Sequence, residues 1–474
     1  MSRDRGRSAD LLLRIDRRRG AVVGSLQSSL REAIRAGRLR DGDALPASRA
    51  LAEELGVSRA SVVEAYARLA AEGFVTASPG SATRVAPGTT GPAETAVAAP
   101  ASEAPTYDLR PGGPDVELFP WDAWARAASR LLRGDGAALL HYADPRGTER
   151  LRTALAPYLA RTRAVVATAD EVIITGGVTQ GLTMLCRVLH RRGDRVLAVE
   201  DPGPNPVERA AIRHAGLEPL PIQTDRDGID VAALAESSAR AVLVTPAHHY
   251  PTGGVMSADR RRALVGWARS ARRLVIEDDY DAEFRYDQLA VAALQGLAPR
   301  RVAYLGSTSK LIAPGLRLGW IVPPGWLAPA VADEKQFDDF GSPSIEQLVL
   351  AELIENSTLG RHVRRARGAY RRRRDATLAA LERHLPDWTA EGVAAGLQVL
   401  VRPPGPMDER AVVVAAYREG IWVGGLASFR EPGTDGPPGL VIGFAMVPEA
   451  AIDASIAALA RIIRAVTVTE KAPP

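Results

Sequence analysis

The sequence predicts a multidomain chain: a small, basic, mainly helical domain followed by a large α/β domain on a mostly parallel sheet. Three observations predict it. Residues 1–86 hold 15 Arg against 10 Asp and Glu, whereas residues 87–474 hold 45 Lys and Arg against 46 Asp and Glu, so the excess positive charge lies at the N-terminal end. Residues 87–106, PGTTGPAETAVAAPASEAPT, have linker composition and no apolar period. Beyond them the apolar runs EVIITGG, DRVLAVED, ARAVLVTP, RRLVIEDD and RVAYLGS alternate with longer helical patterns. That alternation marks a sheet covered by helices.

Composition narrows the setting. With 474 residues, 46% of them hydrophobic, the chain can build two or three cores. Its one cysteine, Cys186, excludes an intramolecular disulfide and fits a reducing compartment. The first twenty residues are too charged for a signal peptide, and no run approaches the roughly 20 apolar residues of a membrane span. A cytoplasmic protein is expected.

In the head, Leu26, Leu30 and Ile34 recur at helical spacing, and Gly37 closes the pattern. Ser48 is placed to cap a short helix carrying Leu51 and Leu55, and Gly56 supplies a turn. Ser58 then caps a second helix with Val62, Tyr66 and Leu69 on its apolar face. Two short helices around a Gly turn form a helix-turn-helix. After Gly73, two short strands around Pro79-Gly80 read as a wing. Arg59, Ala60 and Ser61 fall in the first turn of the second helix, where recognition helices meet bases and phosphates. The plainer reading of the pattern alone is a small interaction domain with solvated arginines.

In the large segment, ITGGVTQGL is a strand running through Gly176-Gly177 into a helix start, which serves phosphate sites and ordinary tight turns about equally. IEDDYDAEF ends a strand in carboxylates, with no His at ligand spacing to suggest a metal. GSTSKLIAPGLRLGW follows another strand and contains Lys310, one of only three lysines, with Lys335 and Lys471, among 60 basic residues. Arg stays protonated; a desolvated Lys yields a free amine that can join a carbonyl as an imine. An amine, an anionic partner and a phosphate cradle at strand ends are what pyridoxal 5′-phosphate requires.

The head, over LREAIRAGRL, GDALPASRALAEELGVSRASVVEAYARLAAEGFV and PGSATRV, resembles the winged helix-turn-helix of the GntR family of bacterial regulators. The resemblance implies DNA contacts from Arg49, Ser58, Arg59, Ser61 and wing Gly80. Some members have a further Arg where Val63 stands, so base preference does not carry over. From Tyr107 to Arg464 the chain resembles the fold-type I aminotransferases, through HYADPRG, ITGGVTQGL, VEDPGPNP, VTPAHHYPTGGVMS, IEDDYDAEFRYD and GSTSKLIAPGLRLGW. The whole chain resembles the MocR subfamily of GntR regulators.

That resemblance implies a winged head at 1–86, a linker at 87–106 and a domain at 107–474 with a smaller α+β subdomain. Lys310 is then the residue that carries pyridoxal 5′-phosphate as an internal aldimine, Asp278 the partner of the ring nitrogen, and Tyr280 that of the ring hydroxyl. Gly177, Val178, Thr179, Ser307, Ser309 and Arg317 hold the phosphate. Tyr142 reaches it from a neighbouring subunit, which implies a homodimer. Three positions depart from the pattern. Pro204 stands where an aromatic usually stacks on the ring, Tyr250 replaces an asparagine, and Val441 takes the place of the arginine for a substrate carboxylate. Arg430 is the candidate substitute in effector binding. The implied function is an effector-responsive transcriptional regulator of vitamin B6, amino-acid or amine metabolism, with vestigial or absent transaminase activity. A working aminotransferase with a tethered DNA-binding module, or a large domain serving only dimerisation, are the alternatives.

Overall fold

The computed structural model describes residues 13, 15–18, 20–77, 81–89, 104–134, 136, 141–271, 273–286 and 291–471, with side chains described as far as residue 466. The chain divides into two compact units, Met1–Ser102 and Glu103–Pro474.

In the first unit, helix α1 (Val22–Arg35) packs on α3 (Arg59–Ala71), with α2 (Ser48–Leu55) against α3. Leu26, Leu30, Ile34, Leu51, Val62 and Leu69 are each at most 1% exposed and form the core of the head. Gly56, at φ +62°, closes α2 in the left-handed conformation that glycine adopts without a Cβ clash. One expectation fails here. Ser48 does not cap α2: Ala47 is the cap residue, with no side-chain hydrogen bond, and Ser48 is already helical. The chain is anchored just upstream, where Tyr66 Oη donates to the Pro46 carbonyl at 2.8 Å, so the helix starts one residue early. Strands β1 (Val75–Thr76) and β2 (Arg84–Val85) pair antiparallel as the expected wing, and Gly80 between them lies outside the described residues. Residues 87–89 belong with the head: Gly88 N–H donates to Asp41 at 2.7 Å, and Thr89 Oγ1 to the Ala86 carbonyl at 2.6 Å.

The second unit opens with β3 (Tyr107–Leu109) and continues through β4 (Ile173–Thr175), β5 (Val196–Asp201), β6 (Glu218–Asp225), β7 (Gly228–Ile229), β8 (Ala241–Val244), β9 (Leu274–Asp278), β10 (Val302–Ser307) and β11 (Gly319–Val322). The strands β4 to β11 make one sheet in the order β4-β11-β10-β9-β8-β5-β6-β7, with β6, β5, β8, β9 and β10 parallel in succession. The five apolar runs seen in the sequence are β4, β5, β8, β9 and β10. Strand β11 was not among them. It lies antiparallel between β10 and β4, and its Gly319 packs so tightly on Gly177 that an added Cβ would stand 2.7 Å from the Gly177 Cα. A second sheet, β12 (Thr389–Glu391), β13 (Gln398–Arg402), β15 (Leu440–Gly443), β14 (Ile421–Gly425) and β3 in spatial order, forms the smaller α+β part. Among the described residues, no helix is long and apolar enough to cross a membrane.

Candidate functional site

The parallel strands all point one way, so their C-terminal ends meet, which is where open α/β sheets bind ligands. There the chain encloses a cavity lined by Glu200, Gly203, Pro204, Asn205, Glu208, Leu243, Thr245, Tyr250, Asp278, Tyr280 and Lys310. Residues from β5, β8, β9 and β10, or the turns that follow them, thus converge on Lys310.

The acidic run after β9 resolves by the period of two along an extended chain. Glu277 and Asp279 face away from the cavity and are structural. Glu277 accepts from the N–H groups of Leu294 and Gln295 at 2.7 and 2.8 Å, and burial together with the charge of Asp279 pushes it up to about 7. Asp279 binds the Arg163 guanidinium at 2.6 Å and accepts from Tyr304 Oη at 2.7 Å. Asp278 and Tyr280 line the cavity. Asp278 Oδ1 is buried without a hydrogen-bond partner, and burial, then the neighbouring Glu208 and Asp279 charges, hold this carboxyl well above the usual range. Tyr280 Oη lies 2.9 Å from His248 Nδ1 and accepts from Gln398 Nε2 at 3.0 Å. Asp281, turned the other way, is held by His248 at 2.9 Å.

Lys310 sits on the single helical turn Thr308–Leu311. Burial lowers the pKa of its amine, against the raising influence of Glu208, Asp278 and Asp281. Gly112 brings its backbone close from the N-terminal side: a Cβ there would lie 3.7 Å from Lys310 Nζ and 3.8 Å from the Tyr250 ring. Tyr250 packs edge-on against Tyr280 and Phe429, both at 5.3 Å.

The phosphate candidates gather at one place. Gly177 is the N-cap of the helix Val178–Arg191, which begins with Val178 and Thr179, and its φ of +113° is glycine territory. A Cβ on Gly177 would stand 3.4 Å from Arg317 Nη1, so the guanidinium lies over the helix start. Ser307 caps the Lys310 turn by accepting from Ser309 N–H at 3.3 Å. Helix N–H groups, two hydroxyls and a guanidinium beside an unpartnered carboxylate and a buried amine fit pyridoxal 5′-phosphate.

The remaining candidates lie elsewhere. Tyr142 is 93% exposed, 6.3 Å from the ring of Phe340, and does not line the cavity of its own chain. Val441 is fully buried in an apolar cluster with Leu400, Leu426 and Phe429. Arg430 is buried with Nη1 3.9 Å from Asp201 and is not among the cavity-lining residues. Sequence reasoning missed Gly112, Gln398, His248 and Glu208. Only Glu208 carried a signal: Asn205-Pro206-Val207-Glu208 has the form of a helix start, and it folds as a capping box.

In the head, Ser58 caps the recognition helix by accepting from Ser61 N–H at 3.1 Å, with the two hydroxyls 2.8 Å apart. Arg49 and Arg59 are exposed and make no hydrogen bond or ion pair among the described residues. Nearby arginines are engaged: Arg31 with Glu72 at 2.8 Å and Arg68 with Glu64 at 2.5 Å. Val63, on the same helix, is 48% exposed.

Comparison with known proteins agrees with both halves. Residues 24–85 match the family model for bacterial regulatory proteins, gntR family, and residues 110–461 match aminotransferase class I and II. The HTH-type pyridoxine biosynthesis transcriptional regulator PdxR of Corynebacterium glutamicum is 34% identical over 90% of this chain and 92% of its own length. The probable rhizopine catabolism regulatory protein MocR of Rhizobium meliloti is 32% identical over 84% of both. Among solved structures, an archaeal alanine:glyoxylate aminotransferase superposes with a TM-score of 0.70 at 27% identity, over 76% of this chain and 91% of that one. The chain belongs to the gntR family of bacterial regulatory proteins, in the MocR-type branch that joins a winged helix-turn-helix to an aminotransferase class I and II domain.

Proposed function

We propose that this regulator acts in the cytoplasm as a homodimer that binds operator DNA through its winged heads and holds pyridoxal 5′-phosphate in its large domain as a sensor of a small molecule. The observation that carries the reading is the unpartnered Asp278 Oδ1 sharing a cavity with the buried Lys310 amine, in a chain that also bears a DNA-binding head. A scaffold has no use for either group. Bound there, the cofactor supplies an electrophilic carbonyl and an electron-withdrawing ring. Lys310 attaches it, Asp278 keeps the ring nitrogen protonated, and Tyr280 and Tyr250 flank the ring hydroxyl. Gly177, Val178, Thr179, Ser307, Ser309 and Arg317 hold the phosphate, with Tyr142 of a second subunit. Arg49, Ser58, Arg59, Ser61 and Gly80 are the DNA contacts.

A working aminotransferase is the weaker reading. Among the described residues no arginine lines the cavity to take a substrate carboxylate, with Val441 in an apolar cluster and Arg430 against Asp201. The test is reconstitution with pyridoxal 5′-phosphate, borohydride reduction and peptide mapping, with binding to the DNA upstream of the protein's own gene measured alongside. Reduction should fix the cofactor on the Lys310 peptide, and the same preparation should retard that DNA. Attachment elsewhere, or fast turnover of amino donors with keto acids, would overturn the proposal.

A further inference from the structure

Two carboxylates of the cavity have no committed cationic partner among the described residues. Three carboxylates line it, Glu200, Glu208 and Asp278, with Asp281 turned away, and two of the four have fixed partners. Glu200 accepts from the N–H and the hydroxyl of Thr245, both at 2.9 Å, and lies 3.6 Å from His249 Nε2. Asp281 is held by His248. Among the described residues, the one basic residue that shares the lining with Asp278 and Glu208 is Lys310. Glu208 gives one oxygen to its helix cap, Oε2 accepting from Asn205 N–H at 3.0 Å. Its neighbour on the same helix, Arg209, is already committed to Glu431 at 3.3 Å and to the Pro204 and Ser428 carbonyls.

The lysine-bound cofactor carries two positive charges in its fully protonated form. Joining the Lys310 nitrogen to the cofactor's aldehyde carbon releases water and leaves an imine nitrogen that can keep one proton; the ring nitrogen keeps another. The imine proton is shared with the cofactor's own ring oxygen, and a carboxylate beside it adds to that stabilisation. Asp278 is the partner of the ring nitrogen. We propose that Glu208 is the counter-ion of the imine nitrogen on Lys310, a positioning and charge-holding role separate from its helix cap. The inference rests on the cofactor reading above.

The electrostatics of the cavity agree. Burial raises Glu208 and lowers Lys310, and each pulls the other back toward its charged form; Glu208 is the largest charge influence on the lysine. The other titratable groups around Lys310 do not take this role. Asp278, Tyr280 and Asp281 come from β9 and the turn after it, Glu200 from β5, and His248, His249 and Tyr250 from the turn after β8. Tyr250 and Tyr280 are pushed far above their usual range by burial and stay neutral, and burial takes His249 down to about 3.

The test is an absorbance titration of the reconstituted protein, which reads the proton on the imine directly and needs no turnover. Glu208→Gln removes the charge but keeps the capping box, in which Gln serves as well as Glu. Glu208→Ala removes both. An opposite charge in the same buried cavity raises a cation's pKa by about 1–3 units, so the midpoint of the near-visible band should fall by about one unit or more in both variants. An unchanged midpoint in Glu208→Gln overturns the proposal. So does a shift in Glu208→Ala alone, because that assigns the effect to the cap. A wild-type protein that takes up the cofactor with no near-visible band at any pH defeats the cofactor reading instead, and is seen before either variant is made.

Discussion

At the scale of the residue, the chain uses 57 arginines out of 60 basic residues, and two of the lysines it keeps, Lys310 and Lys335, are separable by environment. Lys310 faces a cavity with no fixed carboxylate partner. Lys335 is 0% exposed and spans to Asp339 at 2.6 Å, Ser342 at 3.0 Å and Gln180 at 3.4 Å. Gln180 Oε1 in turn accepts from Gly176 N–H at 2.6 Å, so Lys335 braces the glycine turn behind the phosphate candidates. Its paired ammonium is a poor nucleophile. Lys310→Ala is therefore expected to lose the near-visible absorbance while still taking up free cofactor through the phosphate cradle, and Lys335 will not replace it; borohydride reduction followed by peptide mapping checks this. Lys310 was legible because a rare lysine follows a strand end in order after a glycine turn and an acidic strand end, the set that the family resemblance also marks. Glu208 was not, because a Glu three residues after an N-cap is what any helix start asks for, and its second role exists only where β5, β9 and β10 bring their ends together.

At the scale of the element, two helix starts carry the proposed site residues. The recognition helix α3 is capped by Ser58 and presents Arg59 beside it, while Arg49 stands exposed on α2. An unpaired surface arginine pays no ion-pair cost on meeting DNA. Arg59→Ala is expected to weaken operator binding by about 1–3 kcal/mol if it reads a base, measured at fixed salt against wild type. Unchanged affinity would remove Arg59 from the interface. The helix Val178–Arg191 is the second case. Gly177→Ala places a side chain at φ +113° and within 3.4–3.6 Å of the Arg317 guanidinium. Backbone strain of this kind costs about 1–3 kcal/mol, and the displaced arginine should weaken cofactor binding as well. Thermal unfolding and a cofactor titration read the two effects apart. Buried strands were legible as unbroken apolar runs. Strand β11 was hidden because Gly319–Val322 directly follows the LIAPGLRL stretch, which carries a Pro-Gly turn and Arg317 at φ +51°, and only the close packing of Gly319 on Gly177 explains its place.

At the scale of the whole molecule, the exposed aromatic surface argues for a partner. Tyr142, Phe340 and Phe337 are 93%, 62% and 80% exposed, an apolar cost that a second copy of the chain would relieve if Tyr142 acts across the boundary. Sedimentation of the cofactor-loaded protein should give a dimer; a monomer with cofactor bound would reject that arrangement. Among the described residues the cavity lining holds carboxylates and one lysine, and the Arg317 guanidinium is given to the phosphate, so an α-amino acid would forgo the bidentate arginine contact that is among the stronger charge-assisted arrangements. The cofactor itself, or an amine without a carboxylate, is then the better signal. Filling the site is expected to change operator affinity by about 1–3 kcal/mol, the usual range of coupling between two sites. Operator binding measured with apo-protein, with pyridoxal 5′-phosphate alone, and with pyridoxal 5′-phosphate plus a panel of amines and amino acids separates these cases. A change with the cofactor alone, or with amines beyond it, supports the reading. A strong response confined to amino acids would mean that a carboxylate contact forms after all, and the Arg430–Asp201 pair, already buried beside β5, would be the first place to look for the guanidinium that supplies it.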